Sequence, residues 1–108
     1  MPLLKDRDFP DLLNAEVMMD DGFVRIGMTY RFDAEELKRF LLSIDTSQQK
    51  RYILTHYFAP EDALRVGRMT TLVDFLYEPQ DSAPLKIGMS YFTPSMIEQL
   101  IAWLQTQT

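Results

Sequence analysis

Two stretches decide the fold: VRIGMTYRFDAEELKRFLLSI, from Val24 to Ile44, and LKIGMSYFTPSMIEQLIAWL, from Leu85 to Leu104. Val24, Arg25, Ile26, Gly27, Met28, Thr29 and Tyr30 match Leu85, Lys86, Ile87, Gly88, Met89, Ser90 and Tyr91, each pair identical or conservative. Arg31 has no counterpart, and beyond it Phe32, Leu37, Phe40, Leu41 and Ile44 fall on Phe92, Ile97, Leu100, Ile101 and Leu104. A match of this length reads as an internal repeat. In each copy the first part alternates apolar and polar residues, the mark of a half-buried strand, here read as unbroken from Val24 to Phe32 and from Leu85 to Tyr91. The second part places apolar residues at helical spacing. Asp33 with Glu36 forms a capping box at the first junction, and Thr93 followed by Pro94 starts the second helix.

Working outward, Asp21-Gly22 is the pair that a type I′ hairpin turn prefers. That turn sets Met19 against Val24, Val17 against Ile26 and Ala15 against Met28, so the apolar partners share one face. In the second copy, a strand from Met69 to Tyr77 precedes the longer turn EPQDSAP. Between the copies, KRYILTHYF reads as a strand and PEDALRV as a short helix stopped by Gly67. The expectation is one α+β domain over 1–108 with the order ββα-β-short α-ββα. It consists of an antiparallel sheet of about five strands with two main helices on one face. The repeat covers 15–44 and 68–104, and 1–14 forms a loosely ordered N-terminal arm.

Composition fits this reading and excludes several functions. At 108 residues and 46% apolar content, the chain holds one hydrophobic core. It has no cysteine and a single histidine, so a disulfide framework, a thiolate nucleophile and Cys-based metal sites are excluded, and no metal or cofactor is expected. Four glycines, at 22, 27, 67 and 88, cannot write a dinucleotide fingerprint or a P-loop. No apolar run reaches the length of a membrane span, and Asp6, Asp8 and Asp11 stand where a signal peptide would be apolar. A cytoplasmic protein without membrane association is therefore expected. A net charge of −5 disfavours binding to phosphate backbones.

Most carboxylates read as structural: Asp20-Asp21 at the hairpin turn, Asp33 and Glu36 at the cap, Glu61-Asp62 at the start of the short helix. The Asp6, Asp8 and Asp11 cluster lacks the glycine and terminal Glu of a calcium loop and reads as a solvated arm. The candidate interface is the outward face of the repeated strands, Arg25, Gly27 and Thr29 with Lys86, Gly88 and Ser90, extended by Met18 and Phe23. Mid-strand glycines mark close approach of another backbone, and on this reading a bulky charged residue at Gly27 or Gly88 abolishes association without unfolding the chain. Met96 and Trp103 widen the second helix's contact surface where the first helix has Glu36 and Ser43.

These features suggest a non-enzymatic protein that acts by protein–protein binding, as a regulator, adaptor or inhibitor. It would self-associate as a homodimer through the open sheet face or an edge strand, and its acidity would suit a nucleic-acid-binding protein as target. The alternative is a small-molecule binder or minor enzyme with a pocket around Tyr52, His56 and Tyr57. A third reading, nucleic-acid binding through Lys50, Arg51, Arg65 and Arg68, runs against the net charge.

Overall fold

The computed structural model describes residues 3–27 and 30–107. The fold is α+β, with two four-stranded antiparallel sheets and three helices. The first sheet has the order β1(Leu3–Lys5), β2(Asn14–Asp20), β3(Phe23–Ile26), β4(Tyr30–Asp33), and leads into α1(Ala34–Ser43). Next come β5(Lys50–Tyr57), α2(Pro60–Val66), β6(Thr70–Tyr77), β7(Leu85–Ile87) and β8(Ser90–Phe92), and α3(Pro94–Gln105) closes the series. The second sheet has the order β5-β6-β7-β8.

The single five-stranded sheet is thus replaced by two sheets, and the reason lies at two glycines. Gly27 has φ +61° and Gly88 φ +62°, a left-handed backbone that turns the chain instead of continuing a strand. Each apparently unbroken strand folds back on itself: Val24 pairs with Phe32 and Ile26 with Tyr30, while Leu85 pairs with Phe92 and Ile87 with Ser90. Three residues separate Ile26 from Tyr30 and two separate Ile87 from Ser90, so the extra residue of the first copy falls in the turn. By strand register, Arg31 therefore corresponds to Tyr91.

The Asp21-Gly22 turn forms as its sequence requires, with φ of +52° and +83°, and Val17 pairs with Ile26 and Met19 with Val24. Ala15 instead faces Leu4 of β1, and Met28 lies outside the described residues. Residues 3–13 are more ordered than a loose arm: β1 pairs with β2, Leu4 is buried, and Asp6 Oδ2 accepts the Asp8 and Phe9 amides at 3.0 and 2.9 Å. Asp6 Oδ1 accepts from Ser95 Oγ at 3.2 Å, which ties this loop to the start of α3. Asp6 is therefore not a solvated acid. Hydrogen bonds from Thr93 and Ser95 and from the loop amides hold its carboxyl below the ordinary range.

One core lies between the sheets and the helices. α1 buries Leu37, Phe40 and Leu41, and α3 buries Met96, Leu100 and Leu104, with Ile97 and Ile101 at its margin. Phe32, Phe40 and Phe75 form its aromatic centre, with ring centroids 5.9 Å apart for Phe32–Phe75 and 5.8 Å for Phe40–Phe75. Both helices start as their caps dictate: Asp33 accepts the Glu36 amide at 3.0 Å, and Thr93 the Met96 amide at 3.4 Å. The capping box is only half formed, because the Glu36 carboxylate accepts the Thr55 amide of β5 at 3.2 Å. None of the helices among the described residues is long and apolar enough to cross a membrane.

Candidate functional site

The longest pairing among the described residues is between β5 and β6, which match over all eight residues from Lys50↔Tyr77 to Tyr57↔Thr70. On its other side β6 meets β7 at Tyr77↔Leu85 alone. From Thr70 to Leu76, among the described residues, β6 therefore presents backbone N–H and C=O groups with no strand beside them. Its inner face is sealed, since Val73, Phe75 and Tyr77 are buried. Its outer face is not: Leu72 is 71% exposed, Ile53 of the neighbouring strand 62%, and Met69, just before β6, 76%. At the tip of this ribbon, α2 buries none of its own residues and leaves Leu64 exposed.

Such an edge is unusual in lacking the devices that protect open strands. TTLVDFLY contains no proline or lysine and one charge, Asp74, which pairs across the ribbon with Arg51 at 3.1 Å. β-branched and aromatic residues make up most of it, a composition that favours further strand pairing.

A second constellation lies where β4 runs beside β5. Arg25 and Arg31 are direct cross-strand partners, a placement that repels unless an anion intervenes. Asp20 supplies it: one carboxylate oxygen accepts Arg25 Nε at 2.8 Å and Arg31 Nε at 2.9 Å. Hydrogen bonds from Arg25 and then Arg31 hold the Asp20 carboxyl below its ordinary range. The Arg31 guanidinium carbon rests 4.0 Å from the centre of the Phe23 ring, which fixes its plane. Across the seam, His56 Nδ1 accepts the Arg31 amide at 2.9 Å, so the neutral ring carries its proton on Nε2. Burial pushes the His56 pKa below the ordinary 6.5, the Arg31 and Arg25 charges push the same way, and Asp62 opposes them.

The structure disperses the pocket suggested by sequence. Tyr52 packs on Phe40 with ring centroids 5.1 Å apart, and its hydroxyl accepts the Asp45 amide. Tyr57 points to the opposite side of β5 and stacks on Phe23, also at 5.1 Å. His56 keeps different neighbours, Tyr30, Phe58 and Arg31. The suggested interface is rearranged as well. A Cβ built on Gly27 would lie 3.3 Å from Ser90 Oγ, so the close approach marked by this glycine is to the other half of the same chain. At φ near +60° a side chain at Gly27 or Gly88 strains the backbone, so a bulky substitution there costs stability in addition to any effect on association.

Met96 is fully buried and offers no surface, while Trp103 packs half-buried against the core. Phe23 is covered by Tyr57 and Arg31, Lys86 is held by Asp81 at 2.8 Å, and Met18 remains partly exposed. Thr29 lies outside the described residues. Of the four cations considered for nucleic acid, Arg51 and Arg65 are each bound to an aspartate, and Lys50 lies over the Tyr52 ring.

Asp20 and Arg31 went unnoticed in sequence because Asp20 reads as part of the turn and Arg31 as an insertion. For the arginines the available signal was spacing: Arg25 and Arg31 are equidistant from residue 28, so a turn centred there brings them face to face. No protein-family model matches the chain, and neither does any curated protein or solved structure.

Proposed function

We propose that this chain is a non-enzymatic, cytoplasmic protein-binding module, a regulator or adaptor, that self-associates by antiparallel pairing of β6 with β6 of a second copy. The observation that supports this reading is the open edge from Thr70 to Leu76 beside the exposed Leu72. Strand addition at such an edge satisfies the free backbone groups and continues the sheet across a two-fold axis. A second copy suits the edge because one register brings no like charges together. Centred on Leu72, it sets Leu72 against itself, Thr71 against Val73 and Thr70 against Asp74. Each copy carries −5, so added salt strengthens the pairing. The matching of the two glycine-turned segments is read as a duplication that built the core, with β6 left over as the interaction strand.

Sedimentation of the wild type and of Leu72→Lys tests the proposal. The wild type is expected to dimerise with rising concentration and Leu72→Lys to stay monomeric with an unchanged thermal midpoint, since Leu72 is exposed. A wild type that is monomeric at high micromolar concentration overturns it, as does a lysine variant that dimerises equally well.

A further inference from the structure

We propose that the concavity bounded by Arg25, Arg31, His56 and Arg65 is a binding site for a phosphate monoester group. The recess holds about 240 Å³ and is lined by side chains from β3, β4, β5 and α2. Asp20 and the Phe23 ring immobilise Arg25 and Arg31 through Nε and the guanidinium face, which leaves the Nη groups as the donors available to a ligand. One of these, Arg31 Nη1, makes a long contact of 3.4 Å to the Phe58 carbonyl. Arg65 is bound to Asp62 at 3.1 Å through a single Nη, so its other nitrogens are available.

The second observation is His56. It is 9% exposed, its Nδ1 is taken by the Arg31 amide, and Nε2–H has no partner among the described residues. That donor is not sealed in, because no buried side-chain nitrogen or oxygen among those residues lacks a partner. Solvent therefore reaches it, and because His56 lines the recess it can exchange water for an oxyanion held there. Three arginines against Asp20 and Asp62 leave the recess net positive in an acidic chain. Donors converging from four elements suit the three terminal oxygens of a phosphate monoester better than the two of a carboxylate.

An NMR titration at fixed pH tests the site, following the Cε1–H signal of the chain's one histidine. Inorganic phosphate is expected to shift this signal saturably, and acetate to bind more weakly. Arg65 is exposed, so Arg65→Gln leaves the fold intact; losing one charge-assisted pair weakens phosphate binding about tenfold. No saturable shift, an equal response in an Arg25→Gln/Arg65→Gln double variant, or acetate binding as tightly as phosphate overturns the assignment. The site takes no side chain from β6, but His56 pairs with Thr71 of that strand, so the titration is repeated in Leu72→Lys, where the same phosphate response is expected and its loss overturns the assignment.

Discussion

Strands β2 and β6 hold corresponding places, each leading into a glycine-turned hairpin and a helix, yet β2 divides its length between two neighbouring strands while β6, short of Tyr77, has β5 alone. β2 is bordered by β1 over Asn14–Glu16 and by β3 over Val17–Asp20. β6 is bordered fully by β5 and by β7 only at Tyr77. The connection to the next strand makes the difference. The two-residue turn Asp21-Gly22 forces β3 back alongside β2, with each side chain in register. Residues 78–84 form a longer loop, packed down by Ala83 and Pro84 and held by Lys86 to Asp81, and β7 leaves β6 after one pair. A longer connection thus opens an edge that a tight turn would have covered.

The largest test of the comparison strikes its common part. Phe32 and Phe92 hold matching positions before the two helices and are both fully buried. Phe32→Ala and Phe92→Ala are each expected to cost about 3–5 kcal/mol and to keep a single cooperative transition in denaturant melts. Two transitions, or one silent substitution, would show that the halves do not share a core.

A smaller effect separates the seam between the sheets from either half. The folded-state pKa of His56 lies below its unfolded value of 6.5, so the stability it lends is complete above pH 6.5 and is lost as pH falls toward the folded-state value. Its surroundings are Arg31, Arg25, Tyr30 and Phe58, with Asp62 and Arg65 across the recess and Asp20 behind the arginines. Melts from pH 8 to pH 5 are expected to show a loss of stability in the wild type that is shallower in His56→Phe. That variant starts about 1–3 kcal/mol lower because the Arg31 amide loses its acceptor. Parallel slopes would remove His56 from the account.

The smallest contrast lies at the caps. Asp33→Ala is expected to cost about 1 kcal/mol and Thr93→Ala more, because the buried Thr93 hydroxyl serves Asp6 as well as the Met96 amide. Equal midpoints in thermal melts would contradict that ranking.

These particulars show where sequence was legible. The helices, their caps and the Asp21-Gly22 hairpin follow local rules and stand where periodicity places them. The break at Gly27 was hidden because a three-residue turn preserves apolar alternation through the bend, Ile26 and Tyr30 staying on the apolar phase; at Gly88 the two-residue turn shifts the phase, and Tyr91, which alternation places inward, is exposed. The Asp20–Arg31–His56 constellation was hidden for a different reason. Its link to His56 spans 25 residues, and no local pattern records that β4 runs beside β5. The open edge of β6 is likewise a statement about what fails to pair, fixed by the path of residues 78–84.

Backbone amide exchange in β6, measured against protein concentration, tests the central claim most directly. Amides of Thr70–Leu76 that point away from β5 are expected to exchange rapidly in dilute protein and to become protected as concentration rises, while the β2 amides that bond β1 or β3 stay protected throughout. Rapid exchange along that edge at every concentration would contradict pairing of β6 with a second copy.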